Sequence, residues 1–247
     1  MFQKKLFLLN LVIAFLCFAN GAFAQKRIKG EGTVVKQNRE VGAFTKISLE
    51  ANGNAKLVQG ATQKIEIEGY ANIIDILEIV VESNTLKIRQ KKLPGMRYYD
   101  YDANNLKITI TNPTFELIDL SGSFNVEAPN KITTTNTEIR VSGSGNINLE
   151  SFSAVSAKVN VTGSGNIDIK GNTDNLDILI SGSGDINLFN FVARTTNARI
   201  SGSGSINCNA TEKYDLKISG SGFIKYKKTN ATVDSKSSGS GNIESVN

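Results

Sequence analysis

Ser142-Gly143-Ser144-Gly145-Asn146-Ile147 decides the fold, because it is one copy among several. It recurs at Thr162–Ile167, Ser181–Ile186, Ser201–Ile206, Ser219–Ile224 and Ser238–Ile243. A degenerate copy, Ser121-Gly122-Ser123-Phe124-Asn125-Val126, precedes them. The starts at 121, 142, 162, 181, 201, 219 and 238 are spaced by 18 to 21 residues. A fixed period of this length marks a stacked structural repeat, and its small drift suits a coil with variable corners.

On either side of the glycines, apolar residues alternate with polar ones. Ile139/Val141, Val159/Val161, Ile178/Ile180, Ala198/Ile200 and Leu216/Ile218 come before them. Ile147/Leu149, Ile167/Ile169, Ile186/Leu188, Ile206/Cys208 and Ile224/Tyr226 come after them. A period of two is that of a strand with one buried face. Two strands and two corners fill about 20 residues, the size of one coil in a stack with rungs about 4.8 Å apart. The predicted class is therefore all-β, a β-solenoid resembling a parallel β-helix. The corner glycines permit positive φ and close approach of stacked backbones. Stacking aligns Ser142, Thr162, Ser181, Ser201, Ser219 and Ser238 in one column. Asn146, Asn166, Asp185, Ser205, Phe223 and Asn242 fall in another, where side chains can bond along the axis.

In the last coil, Ser235, Ser237 and Ser245 occupy positions that are apolar elsewhere. Polar residues there make a cap that limits end-to-end association. Cys208 reads as a small interior hydrophobe. The N-terminal part is less regular but still alternates, as in Phe44–Leu49, Lys64–Ile67, Thr85–Ile88, Leu106–Ile110 and Phe115–Ile118. Asn52–Leu57 reads as a weak corner copy, and Ala71–Leu77 is the one segment suited to a helical turn. The expected organisation is one β-solenoid domain over residues 25–247, irregular over 25–120 and regular over 121–247.

Residues 1–24 are set apart. Lys4 and Lys5 precede the apolar run Leu6–Phe18, and Ala22-Phe23-Ala24 supplies a small-x-small site. This is the pattern of a cleaved secretory signal, with cleavage between Ala24 and Gln25. The 13-residue run falls short of the roughly 20 needed to span a bilayer. Leu16 before Cys17 stands where a lipidation motif expects a small residue. Export to the periplasm, the outer-membrane surface or the exterior follows.

Composition removes many chemistries. The 247 residues contain no His and no Trp, which excludes His-dependent triads and His-ligated metals. Past residue 24 there are 26 basic and 23 acidic residues, a net charge of +3. That balance gives no argument for nucleic acid, and no later stretch is apolar and long enough to span a membrane. One cysteine remains there, so no intramolecular disulfide forms.

Candidate sites are few. Lys87–Asp102 is the one irregular polar segment, holding Lys91, Lys92, Arg97, Tyr98, Tyr99 and Tyr101. Cations beside aromatics can stack on sugars or hold an anionic polymer, which makes this the first choice for a ligand loop. The alternative is that its tyrosines fold back onto the flank. Glycan-cleaving solenoids carry clustered acids; Asp168, Asp177 and Asp185 are the nearest here, and strand alternation turns Asp168 and Asp177 outward. Calcium-binding rolls need Gly-Gly-x-Gly-x-Asp, whereas these corners have Ser between the glycines. No catalytic residue, metal or cofactor is expected.

These residues carry a family resemblance. A signal segment, then Val41-Gly42-Ala43-Phe44-Thr45-Lys46-Ile47, Thr85-Leu86-Lys87-Ile88 and the repeated SGSGNI, resembles DUF2807, the auto-transporter adhesin head GIN domain family. The likeness covers roughly residues 40 to 230. It implies an exported β-helical protein typical of Bacteroidota and supplies no catalytic residues. The function expected is non-enzymatic binding or adhesion at the cell envelope, with a glycan or an envelope protein as partner. A structural, self-associating role and a glycan-active enzyme are the alternatives.

Overall fold

The computed structural model describes residues 26–95 and 99–247. The cleavage pair Ala24/Gln25 and the loop residues Arg97 and Tyr98 lie outside the described residues. Strands β1 (Lys26–Ile28), β2 (Val34–Arg39), β3 (Lys46–Leu49), β4 (Asn52–Gln59) and β5 (Lys64–Tyr70) lead to the helical turn α1 (Ala71–Ile74). β6 (Leu77–Glu82), β7 (Thr85–Gln90), β8 (Tyr99–Tyr101) and β9 (Lys107–Asn112) follow. The stack then runs through β10 (Leu117–Leu120), β11 (Ser123–Ala128), β12 (Ile132–Val141), β13 (Asn146–Val161), β14 (Asn166–Ile180) and β15 (Asp185–Ile200). It ends with β16 (Ser205–Ile218), β17 (Phe223–Lys227), β18 (Thr232–Ser237) and β19 (Asn242–Val246).

The coils stack in parallel, one repeat per rung, so the molecule is a β-solenoid. Ile147 faces Ile167, which faces Ile186, then Ile206 and Ile224. All five are buried. Each long strand carries three inward runs rather than two, and its ladder shifts register between the first run and the second. In β13 these are Ile147/Leu149, Phe152/Ala154 and Ala157/Val159/Val161. The middle run is poorly apolar in the next coil, where its positions hold Gly171 and Thr173. Alternation therefore does not show it. Phe152 and Phe191 flank Gly171 from the coils on either side, and their ring centroids are 6.3 Å apart. The two rings thus meet across a rung that carries no side chain at this position, where a Cβ would strike the Phe152 backbone.

The corner glycines are required by close approach, and not by backbone handedness. Positive φ among the described glycines occurs at Gly32, Gly53, Gly95 and Gly171, none of them in an SGSG corner. A Cβ on Gly163 would instead lie under 3.0 Å from the carbonyl oxygen of Gly143. The Ser164 N–H donates to that same carbonyl at 3.1 Å. The corners therefore remain in the hydrogen-bonded stack. The column hydroxyls of Ser201, Ser219 and Ser238 lie 3.3–3.4 Å from carbonyls of the preceding strand, so these bond to backbone rather than to one another.

The N-terminal end is closed by strands out of chain order. β3 pairs with β10 on one edge and β7 on the other. β4 likewise lies between β11 and β9. β5 runs antiparallel to β9, and β2 antiparallel to β5. The β6–β7 hairpin turns at Ser83 and Asn84, both with positive φ, as a two-residue turn with right-handed strand twist requires. Register corrects the early corner: Asn54 faces Asn125, so its copy begins at Glu50 rather than Asn52.

At the other end, Ser235 and Ser237 register with Leu216 and Ile218, and Ser245 with Tyr226. β18 is exposed throughout. Between the ends one continuous buried cluster runs from Phe44 to Ile224. Cys208 lies inside it, and burial pushes its thiol up to about 12.

Candidate functional site

The four described residues of the expected ligand loop, Lys91, Lys92, Tyr99 and Tyr101, do not form one exposed surface. Lys91 and Lys92 are exposed. Tyr99 and Tyr101 are two residues apart on one strand face and both are buried. The Tyr99 hydroxyl donates to the Lys91 carbonyl at 2.6 Å. The Tyr101 hydroxyl donates to the Asn52 carbonyl at 2.6 Å and accepts from the Asn52 N–H at 2.8 Å. Burial pushes the Tyr101 phenol up to about 12. These two rings plug the N-terminal end and offer no face to a ligand. The Lys91 ammonium also turns back, donating to the Asp75 carbonyl at 2.7 Å.

An ordered polar surface lies instead on the sheet that follows each corner. The residue after each SGSG points outward, and so does the residue two further on. The first column runs Asn54, Asn125, Asn146, Asn166, Asp185, Ser205, Phe223 and Asn242. Asn125 donates to Asn54 at 3.5 Å, Asn146 to Asn125 at 2.9 Å and Asn166 to Asn146 at 3.0 Å, each from Nδ2 to Oδ1. The Asp185 N–H donates to Asn166 Oδ1 at 3.3 Å, and the Ser205 N–H to Asp185 Oδ1 at 3.1 Å. The second column holds Asn148, Asp168, Asn187 and Asn207. There Asn187 donates to Asp168 at 2.6 Å and Asn207 to Asn187 at 3.5 Å.

The ladder fixes each amide yet uses only part of it. An amide has two N–H donors and two oxygen lone pairs. Along-axis bonding consumes one N–H of Asn146 and of Asn166, leaving the other for solvent or ligand. The result is a flat array of paired donors and acceptors repeating at the rung spacing of about 4.8 Å. Its N-terminal part is concave. A depression of about 520 Å³ is lined by Asn54, Lys56, Asn125, Glu127, Asn146 and Asn148, among others. A second of about 300 Å³ adjoins it through the shared Lys107 and Thr109.

Two ion pairs on this flank bridge adjacent rungs. Lys170 bonds Glu150 at 2.7 Å, and Lys225 meets Glu244 at 3.3 Å. The Lys170 hydrogen bond holds the Glu150 carboxyl below its ordinary value. The three aspartates weighed as catalytic acids are rungs as well. Asp168 and Asp185 accept ladder bonds on this face, and Asp177 accepts from Asn197 at 3.0 Å on another. Among the described residues no cluster of three or more metal-binding side chains occurs. No described helix is long and apolar enough to cross a membrane.

The first column was legible from residue 146 onward. Its extension through Asn125 and Asn54, and the second column, follow from register alone, by continuing downward and counting two residues on.

Comparison with known proteins agrees with this architecture. A putative adhesin from Bacteroides fragilis NCTC 9343 superposes with a TM-score of 0.82 at 30% identity, covering 89% of this chain and all of that one. A putative lipid binding protein from Parabacteroides distasonis ATCC 8503 gives 0.72 at 25% identity, over 90% of this chain and all of that one. A putative adhesin from Parabacteroides merdae ATCC 43184 shares the fold, with a TM-score of 0.64 at 20% identity over 90% of this chain and all of that one. No curated protein matches the sequence. Residues 43–230 match the family DUF2807, described as "Putative auto-transporter adhesin, head GIN domain", and the chain belongs to that family.

Proposed function

We propose that this chain is an exported, non-enzymatic binding protein of the cell envelope, and that its amide face adheres to a hydroxyl-rich polymer, a glycan. The Asn54–Asn125–Asn146–Asn166 ladder is the observation that carries this reading. Sugar hydroxyls both donate and accept, and so does a fixed amide. A surface repeating along one axis suits a ligand that also repeats, and many weak contacts add up through multivalency. The adhesin descriptions of the family and of its solved relatives support a binding role at the envelope. The signal pattern of residues 1–24 supports export, leaving residues 25–247 as one mature domain.

Lipid is the ligand class named for one relative. Here the amides, lysines and carboxylates around both depressions suit hydroxyls better than acyl chains. A glycan array with the mature protein tests the reading. Asn146→Ala combined with Asn166→Ala should weaken the best binder about tenfold, the equivalent of one or two hydrogen bonds. Wild-type protein that retains no glycan, or a double variant that binds equally well, removes the reading.

A second reading, self-association, rests on the exposed outer edge of β18 and β19. Light scattering over a concentration series tests it, and a constant monomer mass excludes it.

A further inference from the structure

One rung of the amide column breaks its pattern. Phe223 stands where the other clear repeats carry Asn146, Asn166, Asp185, Ser205 and Asn242. It registers with Ser205 on one side and Asn242 on the other, so its ring occupies the same outward position. It is 49% exposed and is the one exposed aromatic among the described residues. The others are buried or half-buried.

The fold gains little from this ring. It covers no core, and it interrupts a column that elsewhere bonds rung to rung. A polar residue would continue the ladder at no cost in burial. Its surroundings match one class of ligand. Asn207 lies across the rung in the second column, with Lys225 and Glu244 beside it. Lys225 and Glu244 are already paired, so the patch offers hydrogen bonds without net charge. A pyranose ring has an apolar C–H face and a rim of hydroxyls. An aromatic face takes the first, and flanking amides and hydroxyls take the second.

We propose that Phe223 is the stacking platform for one neutral pyranose unit, with Ser205, Asn207 and Asn242 as hydrogen-bonding neighbours of that unit. The proposal rests on the glycan reading of the amide face and adds where on the face, and for which sugar class, affinity concentrates.

The chain lacks tryptophan, so Phe223→Trp places a single indole at this position. Cellohexaose, dextran and mannan serve as neutral probes and polygalacturonate as the acidic one. The expected result is a saturable change in F223W emission with a neutral probe. Phe223→Asn, which restores the repeat residue and should fold normally, should weaken wild-type binding of that probe at least tenfold. Circular dichroism and melting confirm that both variants are folded. Unchanged neutral-glycan binding by F223N, or binding of polygalacturonate alone, overturns the platform and leaves the glycan face standing. Wild-type protein that binds none of the four probes removes both. A change in molecular mass for F223N without a change in glycan binding assigns the ring to contact between copies and also overturns the proposal.

Discussion

The amide nitrogen of Asn166 lies 3.0 Å from the amide oxygen of Asn146, its counterpart one coil away. Two surface side chains, 20 residues apart in sequence, are thereby fixed in one orientation. Because the bond is exposed, its net worth falls at the low end of about 0.5–1.5 kcal/mol. Asn146 makes two such bonds, to Asn125 and to Asn166, so Asn146→Ala should cost about 1 kcal/mol in urea unfolding. Asn146→Leu should cost no less, although leucine suits a strand. A clear gain in stability from either change would show that the ladder does not hold.

The corners test the close-approach argument. A methyl on Gly163 meets the Gly143 carbonyl, which is fixed within the ladder. Gly163→Ala should destabilise by on the order of 3–5 kcal/mol, among the larger single-residue effects. Gly42→Ala adds the same methyl where nothing lies within 4 Å, and should be close to neutral. Equal melting temperatures for the two variants would refute a steric origin of the repeat.

Tyr101 separates a structural plug from a ligand loop. Tyr101→Phe removes the hydroxyl that serves both the N–H and the carbonyl of Asn52. Leaving these half-buried groups unpaired should cost about 1 kcal/mol or more. Glycan affinity, measured on the folded variant, should not move. A loss of affinity without a loss of stability would return the tyrosines to the site.

Alkali should unfold the protein in a defined window. Cys208 and Tyr101 have folded pKa values raised to about 12, against ordinary values of 9.0 and 10.0. Burial penalises the thiolate and the phenolate, so above pH 9 the unfolded chain releases protons that the folded chain retains. Stability from these groups is complete below pH 9 and falls as pH rises toward 12. Cys208→Ala should flatten the first part of that fall in melting curves between pH 8 and 11, leaving the tyrosine part. An unchanged slope would mean that the thiol titrates with solvent access.

What the sequence reveals here depends on distance and on apolar contrast. Ile147 and Ile167 announce the stack because the same residue recurs at a fixed step. The middle inward run stays hidden, since Gly171 and Thr173 give no apolar alternation between the two runs that flank it. The N-terminal closure is hidden for a different reason: Leu49 pairs with Leu120, 71 residues on, and no local pattern encodes that partner. Tyr99 and Tyr101 did carry a usable signal. Their spacing of two puts both rings on one strand face, here the buried one.

The position of β3 and β4 between earlier and later rungs has a consequence for how the molecule comes into being. A chain emerging from its N-terminus makes these two strands early, yet both their edges await partners from residues 85–112 and 117–128. Assembly thus begins with a slow seed, closed only when about half of the polypeptide has appeared. Beyond it, each new coil needs only the one before. Length is then an open variable of the design: adding or removing one whole repeat leaves both the seed and the polar last turn intact.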